Sequence, residues 1–245
     1  METGNFYGIG LGPGDPELLT LKAIRTIRQV DCIFVPKSDS KEDSIALEIV
    51  KEYVKGKRVI EQVYPMTKDK SVLSNAWVKA AEEVRSEVLA GYDVAYLTLG
   101  DPLIFSTYIY LLRHLITMLP SDVIHTIPGI TAYNAAACVA NYPMLIGDEK
   151  LAVVPVTTDI NELRPILGTF DTVVMMKVAK NLDEVIKLLE GLNLSDNALF
   201  ASYVGQKNAY FTCDIISLKG SGRGYMSVLI VKRKNNVDYD ALTQI

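Results

Sequence analysis

The sequence predicts an α/β protein built from two domains with mainly parallel sheets. Short apolar runs alternate along the 245-residue chain with longer amphipathic segments, the pattern of parallel strands joined by crossover helices. Glycine-rich segments stand where an apolar run ends and a helical pattern begins, as in sheets that bind ligands beyond the carboxyl ends of their strands. At about 150 residues per domain, the length fits one large domain or two small ones. A break near Pro120, after which a new cycle begins, favours domains of residues 1–120 and 121–245.

Strands and helices alternate in the predicted N-terminal half. Apolar runs predict strands at 6–11, 31–35, 58–63 and 92–99, and amphipathic segments predict helices at 15–29, 44–54, 72–90 and 106–119. Pro36 is expected to stop the second strand, because proline lacks the N–H that a sheet ladder uses.

The predicted C-terminal half begins with the same alternation and ends differently. Its strands are predicted at 123–127, 151–156, 172–176 and 198–203, with a helix at 182–192. Residues 209–218 and 225–234 predict two strands that pair around the turn at 219–224. We therefore expect antiparallel strands at the C-terminal end.

Composition and charge exclude several classes of protein. The chain is 49% hydrophobic and 22% charged, so it can bury a core. Its net charge is −4, and its lysines and arginines are scattered, which argues against a nucleic-acid partner. The three cysteines and two histidines are placed too far apart to indicate a disulfide framework or a zinc site, and we expect no metal; they are Cys32, Cys138, Cys213, His114 and His125.

Neither a leader nor a membrane span is evident in the sequence. The N-terminus lacks a basic segment followed by an apolar one, and no window approaches about 18 uninterrupted apolar residues. We expect a cytoplasmic protein with no membrane partner.

Three loops that follow predicted strands can carry chemistry. They are GIGLGPGDP at 8–16, GDPLIFST at 100–107 and PGITA at 128–132. Glycines allow a ligand close to the backbone, and the helix that follows attracts anions, but the first loop fits neither GxGxxG nor GxxxxGK. On spacing alone, that loop is equally well explained as a tight turn. Three such loops at strand ends, however, indicate a shared cleft.

Together these segments resemble the tetrapyrrole methylases, the S-adenosylmethionine-dependent enzymes of corrinoid and sirohaem synthesis. The resemblance rests on GLGPGDP at 10–16 with LLTLKA at 18–23, then GDP at 100–102 and PGITA at 128–132, and it spans nearly the whole chain. It implies two α/β domains with an active-site trough between them, and a homodimer. It also implies S-adenosylmethionine as cofactor and S-adenosylhomocysteine as product.

The resemblance implies a set of cofactor-binding residues. Pro13 and Ile104 could pack on the cofactor, and the backbone at 100–101 could hold its methionyl end. The full set is Pro13, Gly100, Asp101, Ile104, Thr131, Ala132, Met176 and Gly205. Lys177 is a departure, since relatives commonly have glycine after this methionine.

Within the family, the chain most resembles the branch that methylates C20 of precorrin-2 or cobalt-factor II in cobalamin (vitamin B12) biosynthesis. FVPKS at 34–38 and GYMSVL at 224–229 carry this finer resemblance. Pro36 stands where uroporphyrinogen-III methyltransferases commonly have aspartate. The alternatives are methylation of another ring carbon and, more distantly, a nicotinamide-dependent oxidoreductase or a noncatalytic binding module.

A tetrapyrrole substrate carries many carboxylates, so basic residues near the loops are candidates to bind it. Lys37, Ser38 and Lys177 are the substrate-binding residues that we predict, and Lys180 and Arg223 are further candidates. Each of the charged residues is also explained by an ordinary solvated surface. No catalytic base is assigned from the sequence.

Overall fold

The computed structural model describes residues 3–37, 44–65, 67, 69–157 and 159–234. The chain forms two compact units, Met1–Thr131 and Ala132–Ile245. The strand that we predicted to open the second domain pairs with the first strand of the chain, so it belongs to the first sheet. The division between the units therefore follows Thr131 rather than Pro120.

The first unit is a five-stranded parallel sheet with helices between its strands. Its strands are β1 (Phe6–Gly10), β2 (Cys32–Lys37), β3 (Arg58–Val63), β4 (Val94–Thr98) and β5 (Ile124–Ile127), and its helices are α1 (Leu21–Gln29), α2 (Ile45–Val50), α3 (Lys70–Leu89) and α4 (Tyr108–Met118). The strand order is β3-β2-β4-β1-β5, and every pair is parallel. The predicted parallel α/β class is confirmed.

Both faces of this sheet are buried, because successive side chains of a strand point to opposite faces. Phe34 packs in a core with residues of α3 and α4, including Val84 and Leu111. Its neighbour Ile33 packs in a second core with residues of α1 and α2, including Ile27 and Ile49. The central strands thus read as continuous apolar runs, which made them easy to predict.

The first helix starts later than predicted. Asp15 caps a short 3₁₀ turn, Pro16–Leu18, by accepting a hydrogen bond from the amide of Glu17 at 2.8 Å. Thr20 then caps α1, its hydroxyl accepting from the amide of Ala23 at 3.1 Å. Two capping residues in succession divide the predicted helix at 15–29 into a turn and a helix.

The prediction that Pro36 stops β2 is wrong. β2 continues to Lys37, and Pro36 pairs with Gln62 of β3. The carbonyl of Lys37 accepts from the amide of Tyr64 on the β3 side, so Pro36 turns its nitrogen to the other side. There the pairing of β2 with β4 has already ended at Phe34, and the missing N–H costs no ladder hydrogen bond.

The second unit contains a mixed five-stranded sheet. Its strands are β6 (Leu151–Pro155), β7 (Thr172–Met176), β8 (Ala198–Ser202), β9 (Tyr210–Thr212) and β10 (Ser227–Lys232), and its helices are α5 (Ala132–Val139), α6 (Leu163–Thr169) and α7 (Leu182–Gly191). The order is β6-β7-β10-β8-β9, with β6 and β7 parallel and the remaining pairs antiparallel. The predicted antiparallel end is confirmed.

The predicted pairing of 209–218 with 225–234 is wrong. β10 lies between β7 and β8, while β9 is only three residues long and pairs with β8. β10 is buried along its whole length, so it takes a central place with a partner on each side. α6 was not predicted, because Pro165 and Gly168 interrupt its apolar pattern.

Candidate functional site

The three glycine-containing loops of the first unit lie side by side. They follow β1, β4 and β5, and these strands are neighbours in the order β4-β1-β5. Two backbone hydrogen bonds join Gly12 to Gly100: the amide of Gly100 donates to the carbonyl of Gly12 at 2.7 Å, and the amide of Gly12 donates back at 3.3 Å. Parallel strands therefore deliver the loops to one edge of the sheet, as the sequence predicted.

Glycine is required where the loops touch. A Cβ on Gly10 would lie 2.6 Å from the nitrogen of Gly129 and 2.7 Å from the oxygen of Gly100. A Cβ on Gly129 would lie 2.8 Å from the carbonyl carbon of Gly10. These distances are too short for any side chain, so the backbones of the three loops pack directly against one another.

Gly100 is required for a different reason. Its φ is +65°, a left-handed conformation that favours glycine, yet a Cβ there would meet no atom within 4 Å. The space beside this backbone is open. A Cβ at this position would enter that space without touching the protein.

The Asp101 carboxylate ties two of the loops together. One oxygen accepts from the amide of Leu103 at 2.9 Å, and the other accepts from the amide of Gly129 at 3.2 Å. The carboxylate thus has a clear structural role. A contact of the Asp101 backbone with cofactor stays a prediction.

The remaining predicted cofactor residues of the first unit differ in exposure. Pro13 is buried within the loop, whereas Ile104 is 38% exposed between the exposed side chains of Leu103 and Phe105. Thr131 is buried at the end of the unit, and Ala132 begins α5. Three neighbouring apolar side chains at the loop surface could flank an apolar part of a ligand.

In the second unit, the predicted cofactor residues Met176 and Gly205 follow or end strands at one edge of its sheet. Met176 ends β7, and its carbonyl accepts from the amide of Val156 at 2.8 Å. Lys177 follows with φ +60°. This left-handed conformation suits glycine better than lysine.

Strained backbone gathers at the same edge. Gly205 has φ +75°, and Tyr203 and Met226 have φ +51° and +47°. The amide of Tyr203 donates to the carbonyl of Met226 at 3.0 Å, which joins the end of β8 to the start of β10. Non-glycine residues with positive φ are uncommon and often mark functional sites. The sequence analysis assigned no role to Tyr203, and it noted Met226 only as part of GYMSVL at 224–229.

The predicted substrate-binding residues have varied surroundings. Lys37 lies at the end of β2, and its Nζ is 3.0 Å from a carboxylate oxygen of Glu61 on β3. Lys177 and Lys180 are exposed after β7, and the guanidinium of Arg223 lies 4.2 Å from the centre of the Tyr210 ring. Ser38 lies outside the described residues.

Comparison with known proteins decides the family. The model of the Tetrapyrrole (Corrin/Porphyrin) Methylases matches residues 5–215, which include every loop described above except the turn at 219–224. The chain belongs to the tetrapyrrole methylases. The resemblance predicted from the loop motifs is therefore confirmed.

Curated relatives of this methylase match it over most of their length. A protein of Methanocaldococcus jannaschii named "Probable cobalt-precorrin-2 C(20)-methyltransferase" is 36% identical over 231 residues, covering 93% of this chain and 95% of the relative. The cobalt-precorrin-2 C(20)-methyltransferase of Salmonella typhimurium is 32% identical, and the match covers 81% of this chain and 83% of the relative. The precorrin-2 C(20)-methyltransferase of a Sinorhizobium species is 33% identical and covers 85% and 87%.

Solved structures agree with the fold. The cobalt-precorrin-4 methyltransferase CbiF superposes with a TM-score of 0.69 at 18% identity, covering 93% of this chain and 94% of that one. The uroporphyrin-III C-methyltransferase of Thermus thermophilus, complexed with S-adenosylhomocysteine, gives a TM-score of 0.64 at 20% identity and covers 94% and 97%.

A buried polar network in the methylase joins side chains of β3, β4 and α3 and the residue that follows β3. The hydroxyl of Tyr64 donates to the side-chain oxygen of Gln62 at 2.8 Å, and the amide of Gln62 donates to Glu83 at 2.9 Å. Burial raises the pKa of Tyr64 well above its usual range and raises the pKa of Tyr96 to about 12. Both tyrosines are therefore neutral at physiological pH and do not act as bases there.

The described part of the methylase has neither a cluster of metal-ligating side chains nor a membrane-spanning helix. No three His, Cys, Asp or Glu side chains come together there to hold a metal ion. Among the same residues, no helix combines the length and apolar character needed to cross a membrane.

Proposed function

We propose that this tetrapyrrole methylase transfers the methyl group of S-adenosylmethionine to C20 of precorrin-2, or of its cobalt-containing counterpart, in cobalamin biosynthesis. The observation that carries the proposal is the full-length similarity to three relatives whose names all specify C20. Methylation at another ring carbon is supported less well, since the solved structures named for other tetrapyrrole substrates are 20% identical or less.

The loops of the first unit are the proposed binding site for the cofactor. Beside Gly100 there is open space at the backbone, and Leu103, Ile104 and Phe105 offer exposed apolar contacts. The S-adenosylhomocysteine bound to the Thermus thermophilus relative supports the identity of the cofactor. Pro13, Asp101, Thr131 and Ala132 complete this part of the proposed cofactor site, and Met176 and Gly205 are proposed from the second unit.

The chemistry needs little beyond positioning. The bond between sulfur and the methyl carbon breaks while a bond to C20 forms, S-adenosylhomocysteine leaves, and C20 then loses its proton to solvent. A bridging carbon of the macrocycle is already electron-rich, so alignment of the reactants can supply up to roughly 7–11 kcal/mol of the barrier reduction. We assign no protein nucleophile. The Asp101 carboxylate already accepts two backbone hydrogen bonds, and we assign it no proton transfer.

Lys37, Ser38 and Lys177 are the proposed contacts to substrate carboxylates. Lys37 ends β2, on the carboxyl side of the first sheet where the cofactor loops also lie. Its ion pair with Glu61 keeps the ammonium in place, and a substrate carboxylate would compete for it or share it.

Calorimetry and mass analysis test the proposed function. S-adenosylhomocysteine should bind and raise the melting temperature, because a ligand bound only by the folded state stabilises it, whereas NAD should do neither. Incubation with S-adenosylmethionine and precorrin-2 or cobalt-factor II should add one methyl group to the tetrapyrrole. Absence of S-adenosylhomocysteine binding, or of added mass with both tetrapyrroles, contradicts the proposal.

We also propose that the methylase is a homodimer and acts in the cytoplasm. The family resemblance supports the dimer, and the expected small-molecule substrates support the location. Light scattering after size-exclusion chromatography should give twice the chain mass, and a monomer under all conditions contradicts the dimer. Fractionation of producing cells tests the location.

A further inference from the structure

The turn at residues 219–224 holds Arg223 at the edge of the second sheet where β7 and β8 end. Gly224 packs against the segment that follows β7, because a Cβ on Gly224 would lie 2.5 Å from the Cα of Ala179. The Arg223 guanidinium lies over the Tyr210 ring at 4.2 Å from the ring centre. The turn is thus fixed both near β7 and at β9.

Tyr210 is itself well anchored. It stands opposite Ser202 in the pairing of β9 with β8, and its ring meets that of the fully buried Phe200 edge-on, with centroids 6.4 Å apart. A guanidinium that stacks on an aromatic ring keeps its N–H donors at its rim. The Tyr210 ring therefore orients Arg223 and leaves these donors available.

No carboxylate of the described chain neutralises Arg223. None of the ion pairs within the described residues includes it. Near the turn, Glu190 pairs with Lys219 at 2.6 Å, and Asp183 accepts from the amide of Gly220 at 3.1 Å. Arg223 is thus an exposed cation that stacks on Tyr210 and forms no ion pair within the described residues.

The surroundings of Arg223 suit a flat, anionic molecule. Lys177 and Lys180 follow β7 at the same edge and add positive charge. The Tyr203 and Tyr225 rings lie 6.2 Å apart, and Tyr225 is 65% exposed. An exposed tyrosine ring at an edge that also carries cations matches a conjugated macrocycle with carboxylates on its rim.

We propose that Arg223 binds a peripheral carboxylate of the tetrapyrrole and that Tyr210 is the positioning residue that orients its guanidinium. This inference rests on the proposed function and adds a specific recognition site to it. Arginine binds a carboxylate through two parallel hydrogen bonds, and this geometry depends on a fixed guanidinium plane.

Four variants and a matched control test the assignment. Arg223→Ala removes the charge, Arg223→Lys keeps the charge without the planar fork, Tyr210→Leu removes the ring, and Tyr210→Phe keeps it. Lys219→Ala is the control, since Lys219 lies in the same turn but pairs with Glu190. The readouts are the KM for precorrin-2, the Kd for uroporphyrin and the Kd for S-adenosylhomocysteine. Uroporphyrin is a stable tetrapyrrole with a carboxylate on every side chain.

Arg223→Ala should raise the KM for precorrin-2 and the Kd for uroporphyrin about tenfold, since a hydrogen-bonded charge pair is lost. Arg223→Lys should lie between this variant and the wild type. Tyr210→Leu should raise KM with little change in kcat, Tyr210→Phe should behave as the wild type, and Lys219→Ala should change nothing. All variants should bind S-adenosylhomocysteine with unchanged affinity, which shows that they are folded.

Equal tetrapyrrole binding by Arg223→Ala and wild type overturns the assignment, as does wild-type protein that does not bind uroporphyrin. Equal effects of Tyr210→Leu and Tyr210→Phe overturn the positioning role of the ring. Failure of the proposed function has a different signature. Wild-type protein would then bind uroporphyrin through Arg223 and still methylate neither precorrin-2 nor cobalt-factor II.

Discussion

The Asp101 carboxylate accepts a hydrogen bond from the Gly129 amide at 3.2 Å, and this contact joins the loop after β4 to the loop after β5. Its second oxygen accepts from the Leu103 amide within its own loop. An acid of the proposed cofactor-binding loop therefore joins that loop to its neighbour. Variants at this position test that structural role.

Asp101→Ala should lower the free energy of unfolding by about 1–3 kcal/mol, because the partly buried Gly129 amide loses its acceptor. The displaced loop should also weaken S-adenosylhomocysteine binding. Asp101→Asn retains one acceptor oxygen and should lie between Asp101→Ala and the wild type. Urea unfolding and calorimetry measure the two effects, and unchanged stability of Asp101→Ala would refute the tether.

Gly100→Val should abolish cofactor binding and leave the protein folded. The valine side chain would enter open space beside the loop, and the left-handed φ would cost about 1–2 kcal/mol. Gly56→Val is the matched control, because Gly56 also has a left-handed φ and no atom within 4 Å of a Cβ. The two variants should lose similar stability, and only Gly100→Val should lose binding of S-adenosylhomocysteine. Normal binding by folded Gly100→Val would contradict the site.

Lys37→Ala should weaken tetrapyrrole binding by about 1 kcal/mol, more at low salt than at high salt, with cofactor affinity unchanged. Glu61→Gln separates this role from a purely structural one, because it removes the partner of Lys37 at 3.0 Å and keeps the lysine. If Lys37 binds substrate, Glu61→Gln should keep or lower the KM for precorrin-2, whereas Lys37→Ala should raise it. A rise of KM in both variants would indicate that only the ion pair matters.

Lys232→Met should destabilise the second unit strongly. Lys232 is 1% exposed, and its Nζ donates to the carbonyl of Pro143 at 3.1 Å and to Glu149 at 3.3 Å. Removal of one member of a buried ion pair typically costs about 3–5 kcal/mol. The double variant Lys232→Met/Glu149→Gln should recover part of this loss, since it removes the unpaired charge. Thermal unfolding compares the variants, and a loss below about 1 kcal/mol would contradict this account.

Alkaline pH should lower the stability of the protein through Tyr96. Burial raises the pKa of Tyr96 from 10.0 to about 12, so the folded state holds a proton that the unfolded state releases first. The free energy of unfolding should therefore be unaffected by this group below about pH 10 and should fall as the pH rises from about 10 to 12. Tyr96→Phe should reduce that slope in urea unfolding at a series of pH values. An identical slope in the variant would refute the assignment.

The sequence predicted the apolar strands well, because strands buried on both faces are continuous apolar runs. The bounds predicted for β7, whose first four residues are buried, agree with the structure. The mistakes about Pro36 and β10 concerned partners that are distant in sequence. The effect of Pro36 depends on where β4 stops pairing with β2, and the place of β10 depends on β7.

The candidate site, too, could be predicted from the sequence only in part. The glycine motifs predicted the loops, but the contact of Gly10 with Gly129 requires the strand order β4-β1-β5. The pairing of Lys37 with Glu61 and the stacking of Arg223 on Tyr210 join residues of different segments. No local pattern in a single sequence encodes such contacts, so only the fold could reveal them.

The position of the added methyl group tests the central claim most directly. The protein is incubated with precorrin-2 and S-adenosylmethionine carrying a carbon-13 methyl group, and the product is examined by NMR. The account predicts one labelled methyl group, bonded to C20 of the macrocycle. A label on any other carbon, or a tetrapyrrole that remains unlabelled while the protein binds S-adenosylhomocysteine, would contradict it.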